Sequence, residues 1–545
     1  MSTTPLARCF VAVLLHATLV AAALPSWAAP PVQSLIEQGD FTVLHHRGQQ
    51  AVGLPVGETY FSPARVVVTN SRGDFAFNVG SSAGDGVWTN TTTGQTRLVA
   101  IEGALPNDPN MRIDPRYEQL FVTDGGATYF KADVEHQGTE GQGVFRETFA
   151  GGLETVITSG SDYQGLPAGS RIDEIYLLNA SRGGPFLVNA WVRDDATDNF
   201  LYDVVLQGEV GEPLTEISRS GDTPAGLATG ESLTRANAYY SAQVNANGNA
   251  LIPVDITGPA VNDSNDFALV KHTDEGSKVV LRQGQRFSRS TLTNILEFQL
   301  TDQDDLFFNA SLNGSSDYSL YKLSESDVLT PVLNSATLIQ GLPAGVTAQG
   351  GSFQVNNMGD ALVATRLQGA GVNDDNNDAL VKIDSSGAQL VVREGQLADG
   401  FAAANYGTFP IGFTFSNMDI TDQGDIFFSA ILEDGGLGEV NANNNMAFWH
   451  LSPSGVQTML LRDFDPLPFP GIADYVGNPR VKIPDLNSQA SGYSNGGFAA
   501  FETFWGSQLV PARNIPEPPG LTVMVLGTLV LGGTLCRRQR WAAVS

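Results

Sequence analysis

One short phrase recurs along the chain and constrains its fold more than any other feature. Most copies contain Asn or Asp, then Gly two or three residues later, then alternating apolar residues. The copies are VTNSRGDFAF (68–77), VTDGGATYF (122–130), LNASRGGPFLV (178–188), VNANGNALI (244–252), LTDQDDLFF (300–308), VNNMGDALV (355–363), ITDQGDIFF (420–428) and a weaker NGGFAAF (495–501). Asn and Asp cap tight turns, and Gly adopts backbone angles that other residues resist. Each copy therefore predicts a turn that leads into a strand, and Asn70 with Gly73 fits a type I turn.

A second phrase follows each of the first seven copies, as in LETVITSGSDYQGLPAG (153–169), SKVVLRQGQRF (277–287) and AQLVVREGQLADG (388–400). Another strand pattern lies between the two phrases, for example DALVKID (378–384). Each unit therefore contains about four short strands, and no part of the body shows a sustained helical period. These patterns predict an all-β chain.

The phase of the repeat indicates how the chain closes. The body opens with FTVLHHRGQQAVGLPVG (41–57), a second phrase without a first, and it ends with NGGFAAF, a first phrase without a second. Joining the ends completes one unit, with 41–44 beside 498–501. Because repetition around an axis leaves only short, protected strand edges, the expected fold is a β-propeller of eight four-stranded blades, closed by pairing of the N- and C-terminal strands.

The first 28 residues have the layout of a secretory signal peptide. Arg8 precedes an apolar run, and cleavage is predicted between Ala28 and Ala29. The propeller domain is then expected over 29–510. Removing Cys9 leaves Cys536 as the only cysteine, so the body offers neither a disulfide framework nor a thiolate metal site.

The C-terminal segment, 511–545, contains an uncharged apolar run at 521–535, followed by Arg537, Arg538 and Arg540. Fifteen residues rise about 22 Å as a helix, which is short for a hydrocarbon core of about 30 Å. Moving one arginine to the bilayer centre costs roughly 2.5 to 3.5 kcal/mol. The sequence therefore predicts a transmembrane helix with its arginines in the cytoplasm and the body outside.

Pro516, Glu517 and Pro518 stand just before this run. The tripeptide, the short span and the basic end together resemble the PEP-CTERM sorting signal of exported bacterial proteins. The resemblance implies cleavage near the tripeptide by an exosortase-type membrane enzyme. It also implies a role connected with the cell surface or with exopolysaccharide.

The repeated phrase resembles a second family, the exported tandem-repeat proteins with the motif NxxGxxxxAF and interchangeable C-terminal anchors. Asn70, Gly73 and Phe77 match this motif approximately. The spacing changes by a residue between copies. This resemblance implies no established activity.

The charge of the chain excludes some partners. With 58 Asp and Glu against 30 Lys and Arg, the formal net charge is −28 at pH 7. Such a surface repels the phosphates of nucleic acids and of anionic lipids. Cations, neutral glycans and basic proteins remain as partners, and extracellular polysaccharide fits an exported protein.

No catalytic residue is predicted. The histidines are scattered over separate units without a zinc-binding spacing. The letters GSSAG (80–84) match a nucleophile elbow at Ser82, but a turn and strand pattern follows them where that motif needs a helix.

Acidic loops precede the second strand pattern of several units. VNDSNDFALV (261–270) and VNDDNNDALV (372–381) contain Asp263, Asp266, Asp374, Asp375 and Asp378. Clustered oxygen ligands suit calcium, whereas Asn and Asp are also favoured hairpin residues. Both interpretations, calcium binding and turn chemistry alone, stay open at this point.

These features favour a non-enzymatic propeller that serves as a binding platform at the cell surface or in the extracellular matrix. The alternative is a propeller enzyme that acts on extracellular polysaccharide. A pair of carboxylates roughly 5 to 10 Å apart in a pocket would favour the enzyme.

Overall fold

The structure is a computed structural model. It describes residues 42–43, 48–462, 493–494, 498–503 and 506–511, with gaps inside 48–462 at 62–65, 92–93, 106–107, 117–118, 148–151, 164, 237–241, 288–289, 315–317, 326–327, 408–414, 435–436, 439 and 442–444. The predicted signal peptide with Ala28 and Ala29 lies outside the described residues. So do the sorting tripeptide, the apolar run at 521–535 and the terminal arginines.

The described strands form eight sheets, numbered here mostly in chain order. Sheet 1 contains Val66–Thr69, Phe75–Ser81, Gly84–Thr89 and Arg97–Ile101. Sheet 2 contains Gly103–Ala104, Met111–Asp114, Leu120–Val122, Thr128–His136, Thr139–Glu147 and Leu153–Thr158. Sheet 3 contains Ser170–Ala180, Phe186–Asp194, Phe200–Gly208 and Thr215–Arg219. Sheet 4 contains Ser232–Ala236, Gln243–Val244, Ala250–Thr257, Phe267–Thr273 and Gly276–Arg282.

The chain continues in the same way through the remaining sheets. Sheet 5 contains Arg286–Phe287, Ser290–Leu300, Leu306–Leu312, Tyr318–Leu323 and Leu329–Leu333. Sheet 6 contains Ile339–Gln340, Thr347–Ala348, Phe353–Val355, Ala361–Gln368, Asp378–Asp384 and Gly387–Arg393. Sheet 7 contains Asn405–Tyr406, Phe415–Ile420, Ile426–Glu433, Met446–Leu451 and Gln457–Arg462. Sheet 8 contains Thr42–Val43, Tyr493–Ser494, Phe498–Thr503 and Gly506–Pro511.

The all-β prediction is confirmed, because the described residues contain strands and turns but no helix. A helix long and apolar enough to cross a membrane is therefore also absent from this part of the chain. The strand pairing within the sheets is antiparallel almost throughout, as hairpin connections require.

The repeated phrase forms the turn between the leading strand of a sheet and its second strand. The Gly73 N–H donates to the Asn70 carbonyl at 3.1 Å, and Gly73 has φ +83°. The Asn70 Oδ1 accepts from the N–H groups of Arg72 and Asp74 at 3.0 and 2.9 Å. The asparagine therefore closes the turn with its own side chain, as the sequence predicts.

The same asparagine also joins neighbouring sheets. The Asn70 Nδ2 of sheet 1 donates to the Thr123 carbonyl of sheet 2 at 2.9 Å. Asn245 and Asn356 make the equivalent bonds to Thr301 and Thr421, at 3.0 and 2.8 Å. The side chain thus has one function inside the turn and a second between sheets.

The fifth copy of the phrase lacks the usual glycine, and Asp304 takes its position with φ +63°. Asp tolerates this left-handed conformation better than most residues do. Its carboxylate accepts from Asn245 and Asn249 of sheet 4 at 2.7 to 2.8 Å. The backbone strain is therefore offset by bonds that a glycine could not make.

The hydrophobic core is divided into layers between successive sheets. One layer joins Ala76 and Val87 of sheet 1 to Phe130 and Phe145 of sheet 2, and similar layers follow as far as sheet 7. The second strand of a sheet is packed on both faces, so Phe75–Ser81 is buried at every position. This continuous burial differs from the predicted alternation, because both faces of these antiparallel sheets are covered.

The two ends of the described chain meet in sheet 8. Thr42 and Val43 pair with Leu509 and Gln508, and Gly506–Pro511 in turn pairs with Phe498–Thr503. The N-terminal strand therefore lies in the same sheet as the last copy of the repeated phrase, where the sequence placed it.

Asn356→Ala should lower the free energy of unfolding by about 2 to 3 kcal/mol, since it leaves the buried Thr421 carbonyl and two turn N–H groups without this partner. Urea unfolding of the variant measures the loss. Met358→Ala, at the 72% exposed tip of the same turn, is the control and should change stability by no more than about 0.5 kcal/mol. Equal losses in both variants would show that the asparagine has no special role.

Candidate functional site

A cleft of about 520 Å³ lies between sheets 2 and 3. It is open to solvent and far more acidic than basic. Its charged lining comprises Glu102, Asp114, Asp133, Glu135, Glu140, Asp173 and Glu174 with Arg112 and Arg116. Seven carboxylates against two guanidinium groups favour neutral or cationic ligands.

Two of these carboxylates form a pair on adjacent strands. Asp114 and Asp133 are directly opposite each other in the ladder between Met111–Asp114 and Thr128–His136. Like charges in this position destabilise a sheet. Arg116 compensates, since its Nε lies 3.0 Å from the Asp114 Oδ2 and 3.1 Å from the Asp133 Oδ2.

The surroundings of Asp114 shift its pKa upward. Burial raises the pKa of Asp114; Arg116 opposes this effect, and the carboxylates of Glu102, Asp85 and Asp133 reinforce it. The side chains of Asp114 and Asp133 still keep 25% and 30% of their surface exposed. A ligand in the cleft can therefore reach both groups.

A buried lysine lies next to the cleft. Lys131, on the same strand as Asp133, is only 4% exposed. Burial lowers its pKa to about 8, against the opposing effect of the nearby carboxylates of Glu174 and Asp133. Lys131 therefore adds a positive charge beside the carboxylates that it loses near pH 8.

Lys131 occupies a position at which three other sheets have asparagine. Eight residues after the first residue of the turn, sheets 1, 3 and 5 have Asn78, Asn189 and Asn309. Asn78 and Asn309 donate to the Pro115 and Gly351 carbonyls of the following sheet. The substitution of a structural amide by a titratable amine sets sheet 2 apart from these sheets.

A second group of charges involves residues from the turn of sheet 3 and from the leading strand and turn of sheet 7. Arg182 belongs to sheet 3, whereas Asp419 and Asp422 belong to sheet 7. Burial raises the pKa of Asp419 to about 7 and also raises that of Asp422, while the charge of Arg182 lowers both. Residues of non-adjacent sheets therefore influence each other at this point.

The structure separates the predicted calcium ligands into two hairpins. Asp263 and Asp266 lie between the second and third main strands of sheet 4. Asp374 and Asp375 lie at the same place in sheet 6, and Asp378 begins the strand that follows. Asp378 is buried and lies 3.5 Å from Arg366. No group of three or more His, Cys, Asp or Glu in the described residues could hold a metal ion.

Asparagine side chains already close these two hairpins. The Asn265 Oδ1 accepts from the Asn262 N–H at 2.7 Å, and the Asn376 Oδ1 accepts from the Asn373 N–H at 2.9 Å. Turn chemistry therefore accounts for the asparagines, and calcium binding stays a prediction.

His450, His272 and Ser82 have local partners. His450 is buried and bonds to the Asp425 Oδ1 at 2.7 Å. The His272 Nδ1 lies 2.9 Å from the Ser277 Oγ, and burial lowers the pKa of His272. Ser82 is in a hairpin, where its Oγ accepts from the Thr59 N–H. These contacts fit structural roles.

Sequence reasoning did not identify Asp114, Asp133, Arg116 or Lys131 as site residues. The available signal was the segment RIDPR (112–116), which places alternating charges just before a copy of the repeated phrase. A second signal was the lysine in KADVEH (131–136), at a position where related copies have asparagine.

Several solved structures resemble this chain. Prolyl oligopeptidase B from Galerina marginata has a TM-score of 0.38 at 10% identity, and the match covers 74% of this chain and 51% of that one. Puromycin hydrolase has a TM-score of 0.34 at 11% identity, with 81% and 56% covered. Dipeptidyl peptidase 4 from Porphyromonas gingivalis has a TM-score of 0.37 at 10% identity, with 80% and 59% covered. The chain thus spans between half and three fifths of the length of these proteins.

The comparisons correct one expectation. The sequence favoured a non-enzymatic binding platform, whereas the solved structures named above are peptidases and a hydrolase. Their substrates are properties of those proteins.

No curated protein matches the sequence. A family profile does match, over two consecutive stretches, residues 21–190 and 189–468. Together these stretches cover most of the chain, including all of sheets 1 to 7. The chain therefore belongs to the family of unknown function DUF7453.

Proposed function

We propose that the protein is an exported hydrolase that acts on extracellular polysaccharide, with Asp114 and Asp133 as its catalytic carboxylates. The observation that carries the proposal is the cross-strand aspartate pair bridged by Arg116 in an open acidic cleft. Most glycoside hydrolases use two carboxyl groups in different environments as their catalytic residues.

The distances favour a retaining mechanism. Because the Arg116 Nε is 3.0 Å from one carboxylate and 3.1 Å from the other, the two nearest oxygens are no more than about 6 Å apart. Retaining enzymes have a separation of about 5 to 5.5 Å, whereas inverting enzymes need about 6.5 to 9.5 Å for an attacking water. The pair is therefore too close for the inverting arrangement.

In the proposed reaction Asp114, whose pKa is raised, donates its proton to the glycosidic oxygen. The bond between that oxygen and the anomeric carbon breaks, and an Asp133 oxygen attacks the carbon to form a glycosyl ester. Asp114 then takes a proton from water, which attacks the same carbon and releases Asp133. Arg116 is a positioning residue that holds the two carboxylates at this spacing.

The charge of the cleft limits the substrate. Polysaccharides rich in uronic acid or sulfate would meet repulsion from the seven carboxylates, which only two arginines offset. Polymers of neutral sugars or amino sugars would not be repelled by these carboxylates. The substrate class that fits best is a neutral or amino-sugar polymer.

A closed eight-bladed β-propeller is the architecture that we propose for the body. In neighbouring sheets the leading strand contacts the leading and second strands of the preceding sheet, as in sheets 1 and 2. The leading strand of sheet 1 makes the same contacts with Tyr493–Ser494 and Phe498–Thr503 of sheet 8. The influence of Arg182 on Asp419 and Asp422 supports convergence of the turns on an axis.

Export and sorting form the remaining part of the proposal. The signal peptide would direct the chain across the membrane, and the apolar run at 521–535 would anchor it with its body outside. An exosortase-type enzyme would then cut near Pro516, Glu517 and Pro518. Release would bring the enzyme to the polysaccharide at the cell surface.

The test of the activity uses the full-length chain, purified in detergent. It is incubated with neutral glucans, galactans and mannans and with chitosan, and new reducing ends are measured. NMR of the first products gives the anomeric configuration, which the proposal expects to be retained. Absence of hydrolysis of every polymer would overturn the proposed function, and inversion would overturn the assigned roles.

Deleting 521–545 should convert a membrane-associated protein into a soluble exported one with its fold intact, because the last described strand ends at Pro511. Fractionation of the native host, with intact-mass analysis of the C-terminus, measures this. Arg537→Ser, Arg538→Ser and Arg540→Ser together should weaken membrane retention. A mature chain found in the cytoplasm would contradict the sorting proposal.

A further inference from the structure

Because the strands are antiparallel, the connections between them lie at two opposite ends of the sheets, which are called edges here. In sheets 1 to 7 the turns of the repeated phrase, such as 70–74 and 356–360, lie at one edge, defined here as the turn face. The hairpins that follow the second strands, such as 82–83 and 137–138, lie at the opposite edge, the cleft face. Hydrogen bonds between successive turns hold the turn face together, for instance Asn357 N–H to Asp422 Oδ1 at 2.7 Å.

The acidic cleft opens at the cleft face. Asp114 ends the first segment of the leading strand of sheet 2, well before the turn at 123–127. Glu135 and Glu140 flank the hairpin at the opposite end of the second strand. Glu174 lies near the start of the leading strand of sheet 3, far from its turn.

The C-terminal tail leaves from the other edge. In sheet 8 the leading strand is Tyr493–Ser494, and Phe498–Thr503 follows it as the second strand. Gly506–Pro511 pairs antiparallel with Phe498–Thr503 and therefore runs back toward the turn face. Pro511 thus lies at the turn face.

The tail is only slightly longer than the distance between the turn face and the cleft face. Nine residues, 512–520, connect Pro511 to Leu521, and the ten Cα–Cα steps from Pro511 to Leu521 span at most about 36 Å when fully extended. Thr128–His136, with nine residues, already rises about 30 Å between the two edges. A tail that ran from the turn face to the cleft face would therefore use almost its whole extended length.

From this geometry we infer that the turn face is directed toward the lipid bilayer and that the catalytic cleft is directed away from it. The inference rests on the proposed membrane anchor. It deepens the proposed function, because the cleft then meets soluble or matrix polysaccharide and not glycans at the membrane surface.

The body lends itself to a test by site-specific labelling, since Cys536 is the only cysteine left after removal of the signal peptide. The chain without its signal peptide, residues 29–545, carries Cys536→Ser and receives one new cysteine at an exposed residue. Met358→Cys labels the turn face, and Ala83→Cys labels the cleft face. Each is coupled to a fluorescent donor and reconstituted into phosphatidylcholine vesicles that contain an acceptor-labelled lipid.

We expect the donor at position 358 to lose more of its emission to the acceptor lipid than the donor at position 83. Dissolving the vesicles in detergent should abolish both losses. Equal losses at the two positions, a larger loss at position 83, or failure of the protein to float with the vesicles would overturn the inference. Polysaccharide hydrolysis is measured in detergent, where orientation has no effect, so failure of the proposed activity is recognised separately.

Discussion

Asp114→Asn should lower kcat for polysaccharide hydrolysis by about 10²- to 10⁴-fold, the usual contribution of a general acid. The amide keeps the shape of the side chain but cannot donate the proton that the leaving oxygen needs. Initial rates of reducing-end formation measure the effect. Asp133→Asn should be at least as damaging, since it removes the group that attacks the anomeric carbon.

Two further measurements separate catalysis from folding in these variants. Because Asp114→Asn relieves a like-charge pair, its melting temperature should equal or exceed that of the natural protein. The natural enzyme should lose activity as pH rises through the pKa of Asp114, which burial raises, because the acid must be protonated. The variant should lack this alkaline loss.

The control for the activity measurement is Asp195→Asn. Asp195 is an exposed carboxylate that pairs with Arg171 at 3.1 Å and takes no part in the proposed reaction. Its rate should match that of the natural protein. Full activity of Asp114→Asn would refute the assignment of the acid.

Glu297→Gln should stabilise the protein at alkaline pH by up to about 3 kcal/mol. Glu297 accepts from the Phe353 N–H and, at 3.4 Å, from the Asn309 Nδ2, and burial raises its pKa to about 7. Gln119 holds the equivalent place in sheet 2, where it accepts from the Leu178 N–H and donates to the Tyr176 carbonyl. A glutamine at 297 could make both types of bond without a buried charge.

The sign follows from proton binding. An acid whose pKa is higher in the folded state than in the unfolded one binds protons more strongly when folded. Stability is then lost as pH rises from about 4.5 to about 7, and is unaffected below that range. Denaturant unfolding at pH 4.5 and pH 8 should therefore show equal stability at the acid pH and a more stable variant at the alkaline pH.

Asp419, whose pKa burial also raises to about 7, acts in the same direction, so Glu297→Gln should remove only part of the alkaline loss. The exposed Glu275→Gln is the control and should shift stability equally at both pH values. A variant that is less stable at pH 8 would contradict the proposed role of Glu297.

The turns were predictable from sequence because their chemistry is local. Asn70 and Gly73 act within five residues, and the same side-chain bonds recur at Asn245 and Asn356. The phase of the phrases likewise predicted that 42–43 and 498–503 would share a sheet. What the sequence could not supply was the second role of these asparagines, the bond to the next sheet, because its partner lies 53 to 65 residues away.

The aspartate pair was not predictable from sequence, because it depends on the register between the leading strand and the second strand of sheet 2. Leu120 faces Phe130, and extending that register backward would place Asp114 opposite His136. Instead Asp114 faces Asp133, because the residues between Asp114 and Leu120 shift the pairing. A change of register brings together residues that are distant in the sequence pattern. The periodicity of apolar residues does not reveal where such a change occurs.

The connections between strands have a constant length at one edge of the sheets and a variable length at the other. Five residues separate the leading strand from the second strand in each of sheets 1 to 7, for example between Thr69 and Phe75. At the opposite edge the hairpin ranges from two residues in sheet 1 to twelve, 434–445, in sheet 7. The connections at the turn face thus have one length, whereas the hairpins at the cleft face differ in length from sheet to sheet. A laboratory seeking new ligand specificity would graft loops at that edge, beside the cleft, and leave the asparagine turns untouched.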